Sequence, residues 1–270
     1  KDSMQPLKEC TPDVLKAIKV VLCDIDDTLT WQGRLGADAY GAMEALRRQG
    51  FIVMPITGRP AGWCDHIARM WPVDGVVGEN GAFYFHYDDA ARKMVRRYWR
   101  SDAERQQDQI KLQQIGGRIL REVPGAAISA DQAYREADLA VDFCEDVDAL
   151  GPEDIARIVA IFEEEGAIAK VSSIHVNGWF GNYDKLAMTR TALAEIFQID
   201  IDKEAQSIAF VGDSPNDQPM FAFFPLSVGV ANVMEFEGQL STEPAWVTQG
   251  SGGTGFAEFA NFLLTTKTNK

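Results

Sequence analysis

Three carboxylates fall within four residues: Asp24, Asp26 and Asp27 follow directly on the apolar run 20–23, and the hydroxyls of Thr28 and Thr30 come next. Carboxylates crowded at the end of a buried strand repel one another unless a cation neutralises them. A helix cap or a turn needs one such residue, not three. The spacing therefore points to a hard-cation site that contains a carboxylate nucleophile. Alternate residues leaving a strand face the same way, so Asp24 and Asp26 are expected to share one pocket. One carboxylate can attack phosphorus while its neighbour protonates the leaving oxygen and then activates water.

Three further groups suit the same chemistry. Thr57-Gly58-Arg59 follows the apolar run 51–56, where a hydroxyl and free backbone amides can hold phosphate oxygens, although hydroxyl–glycine turns are also ordinary. Asp184-Lys185 opens a helical stretch, and a lysine there is either a compact counter-charge or a solvated surface residue. The run 207–211 ends in Gly212-Asp213-Ser214-Pro215-Asn216-Asp217, which supplies Asp213 and Asp217 as candidate metal ligands. Asp217 equally suits the cap of the short helix that follows.

The elements that must position these groups alternate. Strands are expected at 19–23, 51–56 and 73–77, with helices at 36–49 and from 60 to 70, then a helix at 185–197 and strands at 207–211, 226–230 and 245–248. Such alternation predicts an α/β fold with a doubly wound parallel sheet, Rossmann-like, and sites at the C-terminal ends of its strands. Gly250-Ser251-Gly252-Gly253 lacks the order of a phosphate-binding loop and reads as a turn before a helix at 255–264. The middle differs: a hairpin over 83–99, a long amphipathic helix at 101–122, a half-exposed strand at 137–143, a helix at 152–166 and a strand pair at 167–171 and 174–180. This is α+β with an antiparallel sheet, so 83–182 is expected to be an inserted domain and 1–82 with 183–270 the core.

The 270 residues carry 26 basic and 40 acidic side chains, a net charge of −14. That balance argues against general nucleic-acid binding, and it repels anionic ligands at long range. A phosphate site must then make local positive potential from a metal, a lysine or backbone amides. Four dispersed cysteines (Cys10, Cys23, Cys64, Cys144) without a CxxC pair fit a reducing, cytoplasmic setting. No apolar run approaches membrane-spanning length, and 1–11 has no signal-peptide core, so a soluble protein without a membrane partner is expected.

The ordered set DIDDTLT, ITGR, DK at a helix start and GDSPND resembles the four motifs of the haloacid dehalogenase superfamily of phosphatases, over nearly the whole chain. The insertion between the second and third motifs resembles the Cof-like branch with a large type II α+β cap, which includes sucrose-phosphate, mannosyl-3-phosphoglycerate and trehalose-phosphate phosphatases and phosphomannomutases. The resemblance implies that Asp24 is the nucleophile, forming an aspartyl-phosphate, and Asp26 the general acid/base. It implies that Thr57 and the Gly58 amide bind the phosphoryl group, that Lys185 neutralises it, and that Asn216 assists phosphate or lysine placement. It implies Mg²⁺ held by Asp24, the Asp26 carbonyl, Asp213 and Asp217. Ser214-Pro215 stands where many relatives carry glycines, which stiffens the loop without removing a ligand.

The resemblance also places specificity on the cap face above Asp24. Arg135, Glu136, His175, Asn177 and Trp179 are the candidates, with Asn80 beneath; polar groups beside an aromatic suit a sugar, although strand residues of these types also serve packing. Asn80-Gly81, Gly178 and Gly181 lie near the core–cap crossings, as hinges or as tight turns. The expectation is a Mg²⁺-dependent phosphatase acting on a small phosphorylated metabolite, with a sugar phosphate favoured. A phosphomutase and a non-catalytic phosphate-binding module are the alternatives.

Overall fold

The computed structural model describes residues 4–268; residues 1–3 and 269–270, which the expected core takes in, lie outside the described residues. The core is built from β1 (Val20–Cys23), α1 (Ala37–Arg48), β2 (Ile52–Pro55), α2 (Ala61–Met70) and β3 (Val76–Gly78). After the insertion come α5 (Lys185–Phe197), β10 (Ile208–Gly212), α6 (Gln218–Phe223), β11 (Leu226–Gly229), β12 (Trp246–Val247) and α7 (Gly252–Thr268). The insertion contains α3 (Asp102–Glu122), β6 (Ala127–Ile128), β7 (Leu139–Asp142), α4 (Pro152–Glu164), β8 (Ile168–Val171) and β9 (His175–Trp179). Between them stands the hairpin of β4 (Phe83–Asp88) and β5 (Lys93–Tyr98).

The main sheet runs Gln5–Pro6, β12, β11, β10, β1, β2, all parallel. β1 is wholly buried, which is why 20–23 is a continuous apolar run without alternation. The chain leaves β1 toward β2 and leaves β10 toward β11, in opposite directions, so the switch point lies between β1 and β10. Val211 pairs with Cys23 in register, and the first residues past the two strands, Asp24 after β1 and Asp213 after β10, emerge there. Pro55 closes β2 at the edge of this sheet, where its missing N–H is tolerated. A single parallel bridge, Ile56 to Val77, then passes the sheet on to β3.

The insertion begins later than expected. The 83–98 hairpin pairs with β3, and Phe83 and Phe85 belong to the core's apolar cluster with Val76 and Ile67. Its aromatic residues extend the core layer, and the separate apolar cluster starts at Leu112 in α3 and includes Val141, Phe162 and Val176. The strand expected to be half-exposed, β7, is buried along its whole length. Its acidic ends are tolerated because Asp138 is held by Arg135 and Asn177, and Asp142 accepts the backbone N–H groups of Cys144, Glu145 and Asp146. Cys144, just past β7, is half-buried.

The glycine-rich run 250–253 is also corrected, since α7 already starts at Gly252. A Cβ on Gly253 would lie 2.5 Å from the Leu29 carbonyl oxygen, so bare backbone lets the helix start press on the loop that follows β1. Gly81, expected near a core–cap crossing, plays a comparable part between β3 and β4, and close packing explains it better than a hinge. Its φ is +108°, and a Cβ there would sit 2.1 Å from the Asp184 carbonyl oxygen. Gly81→Ala is therefore expected to destabilise the protein by about 2 kcal/mol or more, from strain added to displacement of the α5 start. Urea unfolding checks this; a midpoint equal to the parent's would contradict it.

Candidate active site

Asp24 follows β1 and Asp213 follows β10, both buried. The Asp24 carboxylate accepts its neighbour's amide, Ile25 N–H, at 2.8 Å and lies 3.4 Å from Lys185 Nζ. Lys185 sits at the first turn of α5, where the Asp184 side chain caps the helix by accepting from Ala187 N–H. Its ammonium is 2% exposed and bonds Asp217 at 3.0 Å. Thr28 donates to Asp213 at 3.0 Å, tying the first motif to the fourth. Oxygens of Asp24, Asp213 and Asp217 lie within 4.8 Å of one another.

This cluster holds three carboxylates and one ammonium. Burial pushes the Asp24 carboxyl up to about 8, with Asp217 and Asp26 adding to the rise and Lys185 opposing it. Burial and the charges of Asp24 and Asp217 push Asp213 well up too. Burial works against the Lys185 charge, but Asp217 and Asp24 outweigh it and hold the ammonium strongly protonated. The all-oxygen donor set and its unbalanced negative charge fit a hard divalent cation. Of the expected metal ligands, Asp217 is already furnished with partners. One oxygen receives Lys185, and the other receives Asp213 N–H at 3.0 Å and Ser214 N–H at 3.3 Å. Its place is to anchor the lysine and the loop, which leaves Asp24 and Asp213 with side-chain oxygens nearest to free.

Thr57 follows β2, and its buried hydroxyl accepts Arg59 N–H at 3.0 Å. Gly58 packs against Asn80: a Cβ on Gly58 would stand 3.1 Å from Asn80 Nδ2. Asn80 adopts φ +58°, a left-handed conformation that asparagine tolerates better than most residues. Asn216 reaches Asn80 Oδ1 at 3.5 Å, and Ser214 Oγ donates to Asn216 Oδ1 at 2.8 Å. Asn80 Nδ2 is buried and finds no acceptor among the described residues. An orphaned donor beside Gly58, among residues expected to hold a phosphoryl group, suits an anionic oxygen supplied by a ligand.

Asp26 departs from the simple two-carboxylate picture. Its oxygens take a fork from Arg59, Nε at 2.7 Å and Nη2 at 2.8 Å. Arg59 Nη1 also bonds Asp131 of the insertion at 2.9 Å, Nη2 bonds Glu145, and the guanidinium lies over the Trp63 ring at 4.3 Å. A cavity of ≈400 Å³ opens beside Asp26, Arg59 and Glu145 and is lined further by Leu35, Trp63 and Trp71.

The insertion's candidate residues are engaged with one another. Arg135 bonds Asp131, Asp138 and the Gly58 carbonyl, the last at 2.8 Å, so its guanidinium fastens the insertion to the core and is not free for a ligand. Asn177 donates to Asp138, the Trp179 indole N–H donates to the Tyr183 carbonyl and stacks on Tyr183, and Glu136 receives the Tyr98 hydroxyl. His175 Nε2 meets Glu145 at 3.1 Å and Ser129 at 3.3 Å, at the edge of the Arg59 cluster. Sequence reasoning missed Glu79, fully buried, whose carboxylate accepts Ala61 N–H from the core and the N–H groups of Glu136, Ala137 and Asp138. It also missed Asp131 and Glu145, and it gave Arg59 no role of its own. No local signal marks these residues, because their partners are distant in sequence.

A doubly wound parallel sheet with carboxylates at its switch point and an α+β insertion over them is the architecture of haloacid dehalogenase-like, Cof-like hydrolases. No protein-family model and no curated protein sequence matches the chain. Solved structures do match in fold. A protein of Thermoplasma acidophilum shares 18% identity at a TM-score of 0.67, over 92% of this chain and 98% of that one. A HAD/Cof-like hydrolase from Plasmodium vivax shares 16% at 0.64, over 94% and 98%. The sucrose-phosphatase of Synechocystis sp. PCC6803, solved with sucrose and phosphate, shares 15% at 0.62, over 90% and 97%. The chain thus has the haloacid dehalogenase-like fold with a Cof-type cap. Among the described residues, no helix is long and apolar enough to cross a membrane.

Proposed function

We propose that this protein is a phosphoric monoester hydrolase that uses Mg²⁺ and acts on a small phosphorylated metabolite, a sugar phosphate by preference. The observation that carries the reading is the buried cluster at the switch point, where Asp24, Asp213 and Asp217 surround the single ammonium of Lys185. A sucrose-phosphatase among the proteins of similar fold supports the substrate class. In this reading Asp24 attacks phosphorus and Asp26 hands a proton to the leaving oxygen. Water then cleaves the aspartyl-phosphate with Asp26 as base. Lys185, Asn80 Nδ2, Thr57 and the Gly58 amide bind the phosphoryl oxygens. Asp24 and Asp213, with the Asp26 carbonyl, would hold Mg²⁺, which when bound adds positive charge against the phosphoryl oxygens. Splitting the reaction through an acyl-phosphate lowers the barrier of one of the slowest uncatalysed hydrolyses known. The dispersed free thiols suit a cytoplasmic setting.

Phosphate release from a panel of phosphorylated sugars, glycerates and glycolate tests this reading. Release with Mg²⁺ is expected to fall at least about 100-fold in EDTA and to return when Mg²⁺ is restored. Isomerised product or sugar bisphosphate would shift the reading to a mutase. Silence across the panel, with metal bound and the fold intact, would favour a binding role.

A further inference from the structure

Arg59 joins the core to the insertion through three carboxylates at once. Its Nε and Nη2 fork onto Asp26, Nη1 bonds Asp131 at 2.9 Å, and Glu145 receives Nη2 and, at 3.4 Å, Nη1. Arg59 is 4% exposed, and its guanidinium lies over the Trp63 ring at 4.3 Å. Each cap carboxylate is itself fixed. Ser129 Oγ at 2.7 Å and Arg135 Nε at 3.0 Å hold Asp131, and His175 holds Glu145.

We propose, resting on the phosphatase reading, that Asp131 and Glu145 are positioning residues. By docking on Arg59 when the insertion seats on the core, they set the plane of the guanidinium and so aim the Asp26 carboxyl at the leaving oxygen. A guanidinium is a planar fork: fixing two of its nitrogens from the cap side fixes the direction of the remaining N–H groups that grip Asp26. With the cap lifted, Arg59 loses both partners and Asp26 loses its aim. The acid/base is thereby assembled only over an enclosed substrate, a gating arrangement common to lidded enzymes.

The test separates aiming of the acid from general damage by the leaving group's need for a proton. Sugar phosphates expel a basic alkoxide that must be protonated, whereas p-nitrophenolate leaves unaided. Asp131→Asn and Glu145→Gln, singly and together, are assayed on the best sugar phosphate and on p-nitrophenyl phosphate, with circular dichroism as the folding control. The ratio of kcat on the sugar phosphate to kcat on p-nitrophenyl phosphate is expected to fall about 10-fold or more in the double variant. Asp131→Glu is expected to recover part of that ratio. Equal losses on both substrates, or no loss on either, would overturn the proposal. A parent enzyme that hydrolyses neither ester would instead remove the phosphatase reading beneath it.

Discussion

Asp24→Asn is expected to abolish turnover, by at least about 10⁴-fold in kcat, while leaving the fold intact. The amide is nearly the shape of the carboxylate but has no anionic oxygen with which to attack phosphorus. The same substitution is expected to raise stability in metal-free buffer, which sets it apart from a merely damaging change. Burial pushes the Asp24 carboxyl up to about 8, far above an ordinary aspartate. A folded value above the unfolded one contributes stability that is complete below about pH 4 and is lost as pH rises toward 8. At neutral pH the aspartate therefore costs the folded state, and asparagine is expected to gain at least about 1 kcal/mol. Urea unfolding in EDTA at pH 5 and pH 8 reads it out, with the variant's advantage larger at pH 8. Turnover retained in the variant would end the assignment of Asp24 as nucleophile, and an advantage independent of pH would contradict the charge crowding.

Lys185→Met carries the second large effect, on both stability and rate. Lys185 is the ammonium that faces Asp24 and Asp217, and Asp213 lies within the same cluster. Methionine fills much the same volume but leaves three buried carboxylates with no counter-charge from the chain. Removing one partner of a buried ion pair typically costs about 3–5 kcal/mol, because the remaining charge stays buried. The loss is expected to shrink as pH falls toward 5, where Asp24 and Asp213, both pushed up by burial, take up protons and need no counter-charge. Activity is expected to fall about 10²–10³-fold or more even where the variant is folded, since a fixed cation at the phosphoryl oxygens is lost. Denaturant midpoints across pH and kcat with saturating Mg²⁺ check both parts. A variant as stable as its parent at pH 8 would mean that Lys185 does not balance the cluster.

Much of this site was legible because its signals are local. Residues 20–23 are apolar throughout because β1 is covered on both faces, and the carboxylates after it mark the strand's C-terminal end. The same logic located Asp213 after β10 and Lys185 at the head of α5, and parallel pairing then brought those ends together. The alternation of elements likewise sufficed for the doubly wound core and for the existence of an α+β insertion. The point at which that insertion begins was misplaced, since β4 and β5 look like an independent hairpin until their pairing with β3 is known.

Tertiary structure alone decided which polar side chains are taken up by one another. Arg135, Asn177 and Trp179 had the chemistry of a sugar-binding face, yet each is consumed by a partner inside the insertion or at its junction with the core. Arg59 reaches Asp131 and Glu145 across 72 and 86 residues of chain, and Glu79 gathers amides nearly sixty residues away. Residue type and neighbouring spacing report on backbone geometry within a turn or a strand. A buried charge is satisfied by whichever partner the fold brings to it, and that partner has no fixed distance along the chain.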